Sequence, residues 1–178
     1  MDSINRRQPE DNRKNLEGQE AVGRIKELVQ KAGSCFLSTA LKSSQAAATR
    51  PMAVQEADDD GCLWMLSASD SHKNAEISAD PFVQLYFQGS GHSDFLTLAG
   101  RATISTDKEK IRRLWNPILK TWFTEGENDP RITVIKITPE SGYYWDTKNG
   151  TLVAFVKQVA GAITGQTLDD SIEGGLKP

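Results

Sequence analysis

The sequence predicts a mixed α+β fold in which an antiparallel β-barrel is flanked by helices. Short apolar segments of strand length recur along the chain, and turn residues at hairpin spacing separate them. Three other segments place their apolar residues at helical spacing. The chain has 178 residues, which suffice for one domain with a full core but leave little room for two.

Composition and charge narrow the class of protein. Hydrophobic residues make up 38% of the chain and charged residues 25%, which is typical of a soluble globular protein. The 21 Lys and Arg against 24 Asp and Glu give a net charge of −3, whereas nucleic-acid-binding surfaces are usually basic. No apolar run approaches the roughly 20 residues that span a bilayer, and the N-terminus lacks the apolar core of a signal peptide. We therefore expect a cytoplasmic protein with no nucleic-acid or membrane partner.

The elements can be placed in order along the chain. Residues 1–17 are polar and are expected to form a flexible arm, residues 18–164 the domain, and residues 165–178 a flexible tail. Helices are predicted for residues 19–31, 71–80, 107–119 and about 152–163. Strands are predicted for residues 35–40, 49–57, 62–66, 82–88, 94–105, 131–139 and 141–146, with a bulge or bend at Gly100. Cys35 and Cys62 fall in strand-like runs and are expected to be buried, reduced thiols.

The stretch from residue 62 to residue 87 carries the main functional signal. An apolar strand is followed by a polar cluster that can cap a helix beginning near Ser71, and Pro81 ends that helix. His72 and Lys73 lie in its first turn, where the positive end of the helix dipole disfavours a cation. A bound anion would resolve this conflict, because free backbone N–H groups, serine hydroxyls and the Lys73 charge converge there. The alternative is a solvated lysine on a surface helix.

Side-chain catalysis finds little support in the sequence. The two histidines and two cysteines lack metal-ligand spacing, and no nucleophile elbow, Walker loop or dinucleotide glycine motif is present. His92 in a Gly/Ser turn is interpreted as a solvated loop residue. Four tryptophans lie near element ends, either in the core or as walls of a flat apolar pocket. Together with the anion site they favour an aromatic phosphate ligand such as flavin mononucleotide (FMN).

Several segments in order resemble one family. They are Arg50-Pro51-Met52, the hairpin through Gly61, the run from Trp64 to Lys73, residues 94–102, Trp115, Trp122-Phe123 and Tyr144-Trp145-Asp146. The chain is similar over about residues 18–160 to the pyridoxamine 5′-phosphate oxidase-like FMN-binding proteins, and most similar to their general stress protein branch. The resemblance implies a six-stranded split barrel and a homodimer with FMN at the subunit interface.

The resemblance also implies roles for individual residues. Lys73 and Arg50 would hold the phosphate, and Ser71 and His72 would add hydrogen bonds. The backbone of Met65, Leu66 and Ser67 would run along the isoalloxazine edge, and Met52 would flank it. Trp115, Trp122 or Trp145 would close the pocket, from the same subunit or from its partner.

The C-terminal sequence departs from the family's oxidases. Those enzymes carry a basic and aromatic motif for their substrate, whereas this chain ends in Asp169, Asp170 and Glu173 with only Lys177 near the terminus. This argues against vitamin B6 oxidation. An FMN-dependent oxidoreductase of another substrate and a flavin carrier or sensor without turnover both remain open, since the flavin itself would carry any redox chemistry.

Two further alternatives come from the same residues. In the first, the barrel binds a deazaflavin, haem or bilin instead of FMN. In the second, the protein is a ligand-free dimeric interaction module whose tryptophans form the subunit interface.

Overall fold

The computed structural model describes residues 12–39, 48–91, 93–147 and 170–178. In these ranges the strands are β1 (Leu16–Glu17), β2 (Ser34–Thr39), β3 (Ala48–Ala53), β4 (Glu56–Ala57), β5 (Leu63–Ala68), β6 (Phe82–Gln88), β7 (Phe95–Ser105), β8 (Ile132–Thr147) and β9 (Ser171–Lys177). The α-helices are α1 (Gly18–Ala32), α2 (His72–Ala79) and α3 (Lys108–Leu114), and Pro117–Thr121 and Gly126–Asn128 are 3₁₀ turns. The predicted C-terminal helix and His92 lie outside the described residues.

The strands form the predicted antiparallel barrel. Strand β2 pairs with β6, β6 with β7, β7 with β8 and β8 with β5, each antiparallel. Residues 48–57 close the barrel, because β3 pairs with β2, and β4, the next strand in the chain, pairs with β5. Among the described residues this gives six positions around the barrel, which confirms the predicted fold class.

The closing segment changes its partner in the middle. The amide of Val54 donates to the carbonyl of Gly33, and the next amide, Gln55, donates to the carbonyl of Trp64. The single strand predicted for residues 49–57 is therefore two short strands, because each half hydrogen-bonds to a different neighbour. The barrel is split between Val54 and Gln55, where the segment leaves β2 and joins β5.

Alternating side chains on β5 and β8 serve two apolar clusters. Met65 and Ile135 point into the main core, where helix α1 contributes Ile25 and Leu28. Leu66 and Val134 point to the opposite face and pack under α3 and the following 3₁₀ turn. Cys35 and Cys62 are buried free thiols, as predicted.

Two element boundaries differ from the prediction around prolines. Helix α3 ends at Leu114, since Pro117 favours an extended conformation for Asn116, which caps the 3₁₀ turn instead. The two strands predicted on either side of Glu140 are one strand, β8. Pro139 fits inside it because Pro139 lies opposite Gly100, where the β7–β8 register shifts as predicted.

The ends of the described chain correct the prediction of flexible termini. Strand β9 pairs with β8 in antiparallel and with β1 in parallel orientation, and Leu16 and Leu176 are buried in the main core. The hydroxyl of Tyr144 donates to the carbonyl of Lys14 at 2.9 Å. Residues 12–17 and 171–177 are thus part of the domain. The described helices include none that is long and apolar enough to cross a membrane.

Candidate functional site

The junction between β5 and α2 has the predicted helix start. Ser71 has an extended backbone (φ −77°, ψ 145°), and its side chain accepts a hydrogen bond from the amide of Asn74. Helix α2 ends at Ala79, and the amide of Asp80 closes its last turn on the carbonyl of Glu76 before Pro81. Both predicted boundaries of the helix are confirmed, so the first-turn residues His72 and Lys73 lie beside the strand end.

A buried polar network fixes α2 against the sheet. The hydroxyls of Ser67 and Ser71 lie 3.2 Å apart. The amide side chain of Asn74 donates to the hydroxyl of Thr133 at 2.9 Å, and that hydroxyl donates to the carbonyl of Ser67 at 2.9 Å. Asn74 and Thr133 were not predicted as site residues, because no local sequence pattern indicates that the two residues meet across the sheet.

Arg50 reaches α2 from strand β3. Its Nη1 atom lies 2.7 Å from Oε2 of Glu76, and the hydroxyl of Thr39 donates to the same carboxylate oxygen. The hydrogen bonds from Arg50 and then from Thr39 hold the pKa of Glu76 below its ordinary value of 4.5. Glu76 was not predicted as a site residue, although its position three residues after Lys73 places both on one side of the predicted helix.

Lys73 is half-buried beside this ion pair. Burial of its ammonium group, and then the positive charge of Arg50, lower the pKa of Lys73 from its ordinary value of 10.5. No oxygen of the described residues accepts a hydrogen bond from its ammonium group. Arg50, Ser71 and Lys73 are thus brought together, whereas the side chain of His72 is exposed at the helix start. We call Arg50, Ser71, His72, Lys73 and Glu76 the anion corner.

Beyond Trp64, the edge of β5 that faces away from β8 has no strand partner among the described residues, and this edge leads to the anion corner. The side chains of Met65, Leu66 and Ser67 are buried, and their backbones pair with β8. On the other side of β5 the described pairing with β4 stops at Trp64, whose carbonyl accepts from Gln55. Since backbone groups of alternate residues face the same side of a strand, the N–H and C=O of Leu66 face this opening.

Met52 lies on the strand that borders the opening. It shares the half-buried face of β3 with Arg50 and packs against the main core. The opening between β3 and β5 is therefore flanked by Met52 on one strand and by the edge of β5 on the other.

The three candidate tryptophans lie at different distances from the anion corner. Trp115 packs on the cluster that contains Leu66. Trp122 is 62% exposed, and its carbonyl accepts from Arg131, whose own carbonyl accepts from the amide of Ser69. Trp145 lies twelve residues beyond Thr133 on β8, roughly 40 Å along the strand. Within one chain, Trp115 and Trp122 are near the anion corner and Trp145 is not.

An exposed aromatic face covers the outside of the sheet. Phe36, Tyr86, Thr97 and Tyr143 lie opposite one another on the consecutive strands β2, β6, β7 and β8. Phe36 is 57% exposed and Tyr86 42%, and Trp145, also 42% exposed, lies 4.6 Å from the ring of Tyr143. We call Phe36, Tyr86, Thr97, Tyr143 and Trp145 the aromatic face.

Comparisons with known proteins match most of the chain. Residues 20–169 match the family described as Pyridoxamine 5'-phosphate oxidase like. Protein bli-3 of Neurospora crassa is 32% identical over an alignment of 129 residues, which covers 66% of this chain and 61% of that relative. The chain therefore spans less than two thirds of that protein's length.

Solved structures share the fold. A general stress protein 26 from Jannaschia sp. CCS1 superposes with a TM-score of 0.74 at 23% identity, over 90% of this chain and all of the other. A structure from Xanthomonas citri, named a general stress FMN/FAD binding protein, gives a TM-score of 0.60 at 23% identity, over 70% of this chain and 87% of the other. At these identities the likeness establishes the split-barrel fold and nothing further.

Proposed function

Because the chain belongs to the pyridoxamine 5′-phosphate oxidase like family, we propose that it is a cytoplasmic general stress flavoprotein that binds FMN at the anion corner. The observation that carries this proposal is the environment of Lys73. Its ammonium group is half-buried next to the like charge of Arg50, and the described residues supply no hydrogen-bond acceptor for it. A phosphate monoester would provide hydrogen-bond acceptors and additional negative charge at a helix start.

In this proposal the residues of the anion corner bind the phosphate of FMN. Lys73 and Arg50 would hold the phosphate, with the hydroxyl of Ser71 and the ring of His72 as further hydrogen-bonding groups. The guanidinium of Arg50 has five N–H donors and uses Nη1 for Glu76, so further donors remain for an anion. Ser71, His72 and Lys73 follow the end of β5, and Arg50 reaches them from β3, so a bound phosphate would lie at one end of the strand edge.

The opening beyond the anion corner would take the flavin ring. The N–H and C=O of Leu66, between Met65 and Ser67, provide a donor and an acceptor for its polar edge, and Met52 flanks it. Trp115 and Trp122 would shield it from water. Bound FMN would supply the electron-transfer chemistry, so an oxidoreductase and a flavin carrier would both use this site.

We further propose that the protein is a homodimer whose contact includes the aromatic face. The apolar surface of Phe36 and Tyr86 is suited to burial against a second copy. A partner would bring its own Trp145 toward the interface. Phe36→Ser should convert a dimer to a monomer in sedimentation equilibrium, while Ile118→Ser, which removes an exposed apolar side chain elsewhere, should leave the dimer intact. A monomeric wild-type protein would refute the homodimer.

A flavin titration tests the proposed function. The purified, flavin-free protein is titrated with FMN and with riboflavin, which lacks the phosphate, and flavin fluorescence is followed. We expect FMN to bind at least about tenfold more tightly. The variant Arg50→Ala/Lys73→Ala should lose this preference, whereas Lys108→Ala/Arg112→Ala, which removes two exposed cations from α3, should retain it. Equal affinity of the wild type for both flavins would refute the assignment.

A further inference from the structure

The anion corner contains an anion of its own. The carboxylate of Glu76 lies 2.7 Å from the guanidinium of Arg50, on the same helix as Lys73. Two carboxylates act on Lys73, those of Glu76 and of the exposed Asp70, and Glu76 is the one that is paired with Arg50. A phosphate monoester carries about −1.5 to −2 near neutral pH. Glu76 therefore repels the ligand that Arg50 and Lys73 attract.

Glu76 is held in place from two sides. Oε2 of Glu76 accepts from Arg50 on β3 and from the hydroxyl of Thr39 on β2, a residue with no exposed surface. The hydroxyl of Thr39 also lies 3.3 Å from the carbonyl of Ala48. Because the carboxylate is fixed to the β2–β3 pair, it does not move freely away from an anion that binds beside it.

We propose that Glu76 limits the affinity of the anion corner for phosphate and so keeps bound FMN exchangeable. This inference rests on the proposed function, since it concerns the same site. Glu76 neutralises Arg50 in the unliganded protein, and Lys73 is left as the cation that attracts the ligand. Removing the charge of Glu76 would leave Arg50 without its ion-pair partner and strengthen binding of a phosphate, but not of a neutral flavin.

Glu76→Gln tests this with little change of shape. The side-chain oxygen of glutamine can still accept from Arg50 and Thr39, so the substitution removes mainly the charge. We expect FMN to bind about three- to thirtyfold more tightly at low salt, and the gain should shrink as salt is raised. Riboflavin affinity should not change. Glu20→Gln, at an exposed position on α1, removes the same charge away from the site and should change neither affinity.

The outcomes separate this inference from the proposed function. If the wild type prefers FMN and Glu76→Gln binds it equally or more weakly, Glu76 only positions Arg50 and the inference is wrong, while the proposed function stands. If the wild type binds FMN and riboflavin alike, the proposed function itself fails, and the inference fails with it. A tighter, salt-dependent and phosphate-specific gain in Glu76→Gln alone supports the inference.

Discussion

Replacing Lys73 with methionine should change stability and binding in opposite directions. Methionine keeps the length of the side chain and removes its charge. The half-buried ammonium of Lys73 is unfavourable in the flavin-free protein, because burial and then Arg50 lower its pKa below the ordinary 10.5 by more than Asp70 and Glu76 raise it. We therefore expect Lys73→Met to make the flavin-free protein more stable and FMN binding weaker.

The structure sets the size of both effects. Relief of a partly screened, unpaired charge is worth about 0.5–1 kcal/mol, which raises the Tm of a chain of this length by about 1–4 °C. Loss of a charge-assisted hydrogen bond costs about 1.5–3 kcal/mol, which weakens FMN binding by about 10- to 150-fold. Riboflavin affinity should stay within about twofold, since riboflavin has no phosphate to lose a partner.

The pH dependence of stability independently tests whether the charge of Lys73 destabilises the flavin-free protein. The folded pKa of Lys73 lies below its unfolded value, so the unfolded chain binds more protons in the interval between them. The stability that the charged Lys73 costs is fully lost below the folded pKa and is regained as the pH rises toward 10.5. Calorimetry of the flavin-free wild type should show this relief, and Lys73→Met should lack it. A lower Tm for Lys73→Met at neutral pH would refute the reasoning, because it would mean that the ammonium is already compensated.

Three further predictions concern the fold. A Cβ at Gly174 would overlap the carbonyl of Lys14, so Gly174→Ala should lower the Tm by about 2–10 °C. A Cβ at Gly175 would have Asn15 Oδ1 as its nearest neighbour at 3.5 Å, so Gly175→Ala should change the Tm little. Equal effects of the two substitutions in thermal unfolding would contradict the order of β9. Burial would raise the pKa of Glu56, but hydrogen bonds from two cations of α3 hold it below 4.5. Denaturant unfolding should therefore show that Glu56→Gln lowers the free energy of unfolding by about 0.5–1 kcal/mol at pH 7 and leaves it unchanged at a pH below the folded pKa. Burial raises the pKa of Cys35 to about 12, so its thiol should react with a maleimide at pH 8 only after unfolding, and rapid labelling of the native protein would count against this burial.

Local chemistry made much of the fold predictable. Ser71 and Pro81 bound helix α2 because capping and the missing proline N–H act within a few residues. Gly100 marks the bulge because a side chain there would overlap the carbonyl of Thr138 on the neighbouring strand. The location of the anion corner is likewise local, since Ser71 and Lys73 belong to one helix start.

Features that depend on distant partners were not predictable in the same way. The change of partner between Val54 and Gln55 depends on two strands far apart in sequence. Strand β9 has no clear alternation, and its order depends on contact with residues at the other end of the chain. The ion pair of Glu76 with Arg50 also joins two elements, so the charge of the anion corner could be known only from the structure.

The two charges of helix α2 have opposite consequences for the same site. In the proposed site, Lys73 would attract phosphate and destabilise the empty protein, whereas Glu76 would repel phosphate and stabilise the empty protein by neutralising Arg50. Lys73→Met should therefore be more stable and bind FMN more weakly, and Glu76→Gln should be less stable and bind FMN more tightly. An anion site that folds without its ligand needs a compromise of this kind, since full positive charge in a half-buried position favours binding at the expense of the unliganded fold.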